Sequence, residues 1–281
     1  MKKLDRLDWA EVITLSAFGV RAGVRVNVSG VLPRVLPLLP PGWEKAHRSI
    51  VQRLYSLVVA QGCERPGLRR LHVLYADTMQ VARDAALDQV LATLETDLHR
   101  YTAEATSDVT FLHAGVVGWQ GRAIVFPGRS LSGKTTLVRE MLRLGATYYS
   151  DEFAVVDSSG LVHPFARPLG IREDSSYAQT KYTAERLGAA SGVKPLPMGM
   201  AVICKYEAGA QWQPAPLSQG QGALELLANS FAVRSQPHQT LRRLHNLVRH
   251  SVFIKGTRGE AHEAAASILN LSCARERLET T

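Results

Sequence analysis

The sequence predicts an α/β fold, a mixed sheet with flanking helices, and three observations carry that expectation. Apolar residues at steps of three and four mark helices, and short apolar runs bounded by Gly, Pro and polar residues mark strands between them. One of those strands runs into a glycine loop that opens directly into a helix, so strands and helices belong to one architecture. With 281 residues, 46% hydrophobic and 21% charged, the chain has ordinary globular composition and length for one large domain or two modest ones.

Taken in order, VRAGVRVNVSG alternates around Val24, Val26 and Val28 and reads as a strand. LPRVLPLLPPGWE carries four prolines and cannot hold a long helix. LHVLYAD from Leu71 is a second strand. Between Ala85 and His99, Leu87, Val90, Leu91, Leu94 and Leu98 define the apolar stripe of an amphipathic helix, with Asp88, Glu95 and Asp97 on its other face. The polar run TAEATSD, Thr102 to Asp108, is the expected boundary between an N-terminal region, 1–105, and a P-loop domain, 106–281. Residues 1–105 announce no chemistry; completing the same sheet, presenting a substrate and mediating oligomerisation are the roles open to them.

After the boundary, FLHAGVVGWQGRAIVFPG predicts a hairpin: a strand from Phe111 to Trp119, a turn at Gln120 and Gly121, and a strand from Arg122 to Phe126. In the helix after the glycine loop, Leu137, Val138, Met141, Leu142 and Leu144 share one face, and Gly145 ends it. TYYSDEFAVVD reads as strand and hairpin, with SSG turning into LVHPF. From Ala166 to Gly199 the chain is irregular with a short helix near Thr183, and a strand follows around Val202 and Ile203. Two helices, a short strand SVFIKG and a last helix through AHEAAASILNL complete the order.

Composition excludes several classes. Cys63, Cys204 and Cys273 are far apart and form no CxxC pair, so neither a structural zinc site nor a disulfide framework is indicated, which fits a reducing cytoplasm. The stretch MKKLDRLDWAEV lacks the apolar core of a signal peptide, and no window holds eighteen uninterrupted apolar residues; a soluble cytoplasmic protein without membrane association is expected. The net charge of +8 favours anionic partners. In the most basic stretch, LRRLHNLVRH, the apolar stripe Leu241, Leu244, Leu247 and Val248 leaves Arg242, Arg243, Arg249 and His250 on a solvated face. No aromatics interleave it, so nucleic acid is not the expected partner.

The segment Gly128, Arg129, Ser130, Leu131, Ser132, Gly133, Lys134, Thr135, followed by Thr136, satisfies GxxxxGK[ST] in full. Such a loop wraps so that successive backbone N–H groups point at phosphate oxygens, and its glycines permit dihedrals a side chain would block. Lys134 then reaches the β and γ oxygens, Thr135 holds magnesium, and the helix adds its positive end. The plainer reading, a turn capping a core helix, leaves the lysine unexplained, since a cation at a helix start opposes the macrodipole. A P-loop enzyme also needs an acid on a neighbouring strand, and Asp151-Glu152 follows the loop helix immediately. Two adjacent acids on a regular strand point to opposite faces, so both can serve one site only if the strand bends. His113, on the preceding strand, is either a core residue or a group that orients phosphate or relays a proton near neutral pH.

The block LHAGVVGWQGRAIVFPGRSLSGKTTLVREMLRLGATYYSDEFAVVD resembles the catalytic domain of HPr kinase/phosphorylase and the related serine kinases of bacterial gene clusters. Order and spacing of histidine, hairpin, P-loop and acid pair match across Phe111 to Arg172. The resemblance implies the fold shared with phosphoenolpyruvate carboxykinase and an ATP- and Mg²⁺-dependent kinase that phosphorylates a hydroxyl, serine above all, of a peptide, protein or small molecule. It implies that residues Gly128 to Thr136 bind the nucleotide, Thr135 holds the metal, Asp151 accepts the hydroxyl proton, Glu152 is tied to the metal, and His113 lies near the transferred group. An oligomer is implied by analogy. The second acid is Glu where the family has Asp, and the family's later acidic and arginine-bearing strand has only an echo in ARPLGIRE, with Arg167 and Arg172, so HPr itself is not the expected acceptor. A noncatalytic ATP-binding sensor is the alternative.

Overall fold

In EVITLSA the alternation buries Ile13, Leu15 and Ala17 on one face of a strand, β1 (Glu11–Ala17). Phe18 and Gly19, both at positive φ (50° and 76°), turn the chain tightly into β2 (Val20–Val26), which buries Ala22, Val24 and Val26 beside them. The prolines of the next segment allow a single helical turn, α1 (Leu32–Val35), and a 3₁₀ turn at Leu36–Leu38. Then follow β3 (Glu44–Lys45), β4 (Arg53–Val58), β5 (His72–Ala76), β6 (Met79–Asp84) and the amphipathic α2 (Leu87–Ala105). The six strands form one sheet in the order β3-β1-β2-β4-β5-β6, antiparallel except for the β2–β4 pair. Val90, Leu94 and Leu98 of α2 join Tyr55, Leu57 and Leu74 in its core.

The computed structural model describes residues 4, 7–47, 50–61, 70–128, 132–171 and 180–279, with the main chain alone for 273–279. It divides into two compact units, Met1–Thr106 and Ser107–Thr281. The helix α2 runs six residues beyond the expected His99, because Thr102 and Ala103 are also buried. The first unit carries its own six-stranded sheet, and among the described residues its strands pair with none of the second unit, so they do not complete that unit's sheet.

The second unit begins with the expected hairpin, β7 (Thr110–Trp119) and β8 (Arg122–Pro127), turned at Gln120 (φ 48°) and Gly121 (φ 76°). The order continues α3 (Lys134–Arg143), β9 (Thr147–Ser150), β10 (Phe153–Val156), β11 (Leu161–His163), β12 (Leu169–Ile171), β13 (Thr180–Tyr182), a 3₁₀ turn at Glu185–Leu187, and β14 (Leu196–Tyr206). It ends with β15 (Ala215–Leu217), α4 (Gln219–Ala228), α5 (Pro237–Val248), β16 (Val252–Arg258) and α6 (Ala261–Glu279). The main sheet is mixed, in the order β11-β10-β7-β8-β14-β16-β15, with β9 added along β7 and β11 also pairing β14.

Its central strands β7, β8 and the first part of β14 are largely apolar because both faces are covered there. Val117, Ile124, Phe126 and Val202 meet Leu137, Val138 and Met141 of α3 and Ala264 and Ile268 of α6 on one side. Val116, Val125, Ala201 and Phe253 meet Leu226 of α4 and Leu244 and Leu247 of α5 on the other. Glycine permits two of these approaches: a Cβ at Gly115 would lie 2.9 Å from Val138 Cγ2, and one at Gly222 would lie 2.2 Å from the Phe253 ring. Leu144, expected on the buried face of α3, is 46% exposed, because the helix ends at Arg143 and Gly145 (φ 93°) turns the chain away. On α5 the expected stripe is rotated: Leu241 is exposed and Arg243 is buried beside Thr240, Leu244 and Leu247. The long Arg243 side chain reaches inward to donate to Ser107 O at 2.5 Å.

Candidate active site

Three strands of this sheet, β8, β14 and β16, run parallel, so their carboxyl ends share one edge, where ligands of α/β sheets gather. From that edge Pro127 and Gly128 leave β8, and Ser132 and Gly133 lead into α3. Arg129, Ser130 and Leu131, and likewise Arg172 and Cys63, lie outside the described residues; Cys273 is described by its main chain alone. Gly133 caps α3 in the left-handed conformation (φ 84°), and its carbonyl accepts the first helical bond, from Leu137 N. Lys134 opens the helix buried, 7% exposed, and Nζ donates to Gly128 O at 2.8 Å. The ammonium thus reaches back to the residue that follows β8. Burial lowers its pKa to about 8, although the charges of Asp151 and Glu152 pull upward. Thr135 faces the acids, while Thr136 is exposed.

The acids owe their place to a break in the sheet. β9 and β10 run in line along the same edge of β7, Ser150 opposite Val116 and Phe153 opposite His113, and Asp151 and Glu152 form the bend between them. The main chain stays tied there, since Ala114 N donates to Glu152 O at 3.0 Å, and Ser150 Oγ accepts from Glu152 N and Phe153 N. The bend sends the side chains to different partners. Asp151 Oδ2 accepts from Thr135 Oγ1 at 3.2 Å, and Tyr148 Oη lies 3.1 Å from Oδ1. Glu152 Oε2 instead pairs with Arg167 Nη1 at 2.6 Å. Burial raises the pKa of Asp151, against the hydrogen bonds of Tyr148 and Thr135 and the charge of Arg167. A carboxylate raised in this way accepts a proton more readily.

His113 sits one residue from the loop across the hairpin: its carbonyl accepts from Gly128 N at 3.1 Å, and its N–H donates to Asn229 O at 2.8 Å. Its ring lies against Phe231, itself part of an aromatic cluster with Phe153 and Phe165. Burial, and then the Lys134 charge, lower its pKa to about 4. The expectation of a histidine titrating near neutrality is therefore not met: the imidazole is neutral at pH 7 and can orient a group by hydrogen bonding without bringing charge.

Sequence reasoning passed over three participants. Tyr148 is buried and joins Asp151 to Arg167 O, 2.8 Å from its hydroxyl. Arg167 was noted without an assigned role, and its ion pair with Glu152 gives it one in ordering the second acid. Arg258, at the carboxyl end of β16, donates through Nη2 to Gly133 O at 3.1 Å. Its only advance signal is that SVFIKGTRG, like AIVFPG, is an apolar strand ending in a glycine-bearing turn. Cys204, half-buried on β14, lies within the fields of Arg258 and Lys134, but burial still raises its thiol pKa.

Among the described residues no group of three or more His, Cys, Asp and Glu side chains is arranged to hold a metal ion by itself, and no described helix is long and apolar enough to cross a membrane. Comparison of the chain with protein-family models finds no match, and neither does comparison with curated proteins.

Proposed function

We infer that residues 107–281 form a P-loop kinase domain of the HPr-kinase and phosphoenolpyruvate-carboxykinase type, transferring the γ-phosphate of ATP to a hydroxyl, serine above all, of a peptide, protein or small molecule. The observation that carries this reading is the contact between Thr135 Oγ1 and Asp151 Oδ2 beside the buried Lys134, which brings a hydroxyl, a carboxylate from the β9–β10 bend and an ammonium together at one helix start. A glycine turn that merely capped a core helix would not need an acid drawn to its second residue. These groups fit a magnesium nucleotide: hydroxyl and carboxylate oxygens are the donors Mg²⁺ prefers, and it is usually held by one or two carboxylates with phosphates and water completing its shell. ATP with Mg²⁺ supplies the transferable phosphoryl group and cationic charge.

The chain's own groups have separable tasks. Lys134, released from Gly128 O, holds phosphate oxygens, and Thr135 with Asp151 or Glu152 holds the metal. Asp151, with its raised pKa, takes the proton of the acceptor hydroxyl. His113 orients a phosphate oxygen or the acceptor as a neutral donor. Arg167 fixes Glu152. A cytoplasmic location, where ATP and Mg²⁺ are supplied, goes with this reading.

Incubation with γ-labelled ATP, Mg²⁺ and peptides or metabolites made by neighbouring genes, followed by mass spectrometry for an added phosphate, tests it. Asp151→Asn should retain nucleotide binding and lose transfer by roughly 10²–10⁴-fold. Full activity in that variant removes the proposed base. Stable nucleotide binding without ADP formation or acceptor labelling would instead favour a noncatalytic sensor.

A further inference from the structure

We propose that Arg258 belongs to the phosphate site, as a buried guanidinium that positions the loop and completes the positive field for the phosphate chain of a nucleotide; this rests on the nucleotide-binding reading above. The side chain is 2% exposed. Nη1 donates to Gly259 O at 2.9 Å and Nη2 to Gly133 O at 3.1 Å, the face of Tyr206 lies 5.3 Å away, and Nε is buried without a hydrogen-bond partner. Among the described residues no carboxylate lies within ion-pair distance of it. A buried arginine that meets carbonyl dipoles, an aromatic face and the Cys204 thiol, but no carboxylate, is a costly element of a fold, because burying a charge is compensated chiefly by an opposite charge.

Its position makes the cost larger. Gly133 is the N-cap of α3, whose N-terminus carries partial positive charge, and the next residue is the buried Lys134. Two cations and a helix N-terminus therefore converge at the carboxyl ends of β8 and β16. Asp151 and Glu152 act on Lys134 but no carboxylate reaches Arg258, so an anion of high charge density at this helix start would supply the guanidinium with the opposite charge it lacks. The guanidinium lies close against the turn, 2.2 Å from where a Cβ at Gly133 would stand, and the φ of 84° at Gly133 itself favours glycine. Arg258 thus supports from behind the turn that presents Lys134 and Thr135. It is a positioning residue whose attraction for a nucleotide grows with the number of phosphates the nucleotide carries.

The test is calorimetric titration of the full chain, wild type, Lys134→Ala, Arg258→Met and Arg258→Lys, with ATP, ADP and AMP. Arg258→Met should weaken ATP roughly ten- to hundredfold, ADP less and AMP least, as expected for loss of a contact to a charged group. Arg258→Lys, which keeps the charge without the fork, should recover part of the ATP affinity. Unchanged affinities, or equal weakening for all three nucleotides, would overturn the proposal, the second outcome marking a purely structural residue. Should Arg258→Met fail to fold, Arg258→Lys decides: a loss graded from ATP to AMP supports the proposal, and wild-type affinity or a flat loss overturns it. Wild-type chain that binds none of the three would sink the nucleotide reading itself. Binding weakened by Lys134→Ala and untouched at Arg258 sinks this inference alone.

Discussion

Arg53, in the first unit, and Arg258, in the second, are both largely buried arginines at the end of a strand, yet their surroundings differ in kind. Arg53 lies 3.3 Å from Asp77 and 3.9 Å from Asp97, its guanidinium stacks 4.1 Å over Tyr101, and Asp97 also accepts from Tyr55 Oη at 2.8 Å. Every charge there has its opposite within the fold. Arg258 donates instead to the main-chain carbonyls of Gly133 and Gly259, with no carboxylate among the described residues within ion-pair distance. The first arrangement is complete as it stands and stabilises. The second leaves a buried guanidinium without an opposite charge, at a cost in stability.

The largest way to sharpen this contrast is Lys134→Met. Phosphoryl transfer should fall by at least about 10²-fold, the scale for removing a preorganised charge, while the chain without nucleotide becomes more resistant to urea. The pH dependence carries the sign. The folded chain sheds the Lys134 proton near pH 8 and the unfolded chain near the usual 10.5. Between those values the unfolded state binds more protons, so stability rises with pH there, and the variant should lack that rise. A variant weaker than wild type at pH 7 would break the comparison.

Next come core truncations, one per unit. Leu98→Ala and Leu137→Ala should each cost about 2–5 kcal/mol, both residues being fully buried. Calorimetric scans should show Leu98→Ala lowering a transition that nucleotide does not shift, and Leu137→Ala lowering one that nucleotide raises. A single shared transition would show that the units unfold together. Arg53→Met is smaller: it should destabilise by roughly 1–3 kcal/mol, in line with hydrogen bonds to charged groups, the opposite sign from Lys134→Met in the same urea assay.

The smallest effect concerns His113. Its pKa is lowered from 6.5 to about 4 in the fold, so the unfolded state binds more protons between those values. Stability contributed by the neutral ring is present above pH 6.5 and is lost as pH falls toward 4. His113→Gln should show a shallower decline of the urea midpoint across that window, and an unchanged slope would count against the burial assigned to it.

Much of the site was legible because its parts are local. The hairpin turn at Gln120-Gly121, the strand entering Gly128 and the helical stripe of Leu137, Val138, Met141 and Leu142 each follow from spacing of a few residues. The bend at Asp151-Glu152 was legible only as a requirement. What spacing alone could not supply were contacts between distant segments: β14 and β16 pair in parallel across some fifty residues, and that pairing brings Arg258 to the loop. Arg243 misled for a related reason. A stripe of leucines fits two helix rotations differing by one residue, and only the carbonyls of Ser107 and Val109, outside the helix, select the one that buries an arginine. The short strands β12, β13 and β15 left no pattern long enough to read.

β7 carries strands on both edges, β8 on one and the interrupted line of β9 and β10 on the other. The backbone amides on either side of the site, at Ala114 and Gly128, are therefore rungs of the ladder that holds the unit together. The Ala114 amide ties the acid bend itself to β7 through Glu152 O, and the Gly128 amide ties the start of the glycine segment to the same strand through His113 O. Displacing the bend that carries Asp151 and Glu152 therefore costs main-chain hydrogen bonds of the sheet as well as side-chain contacts.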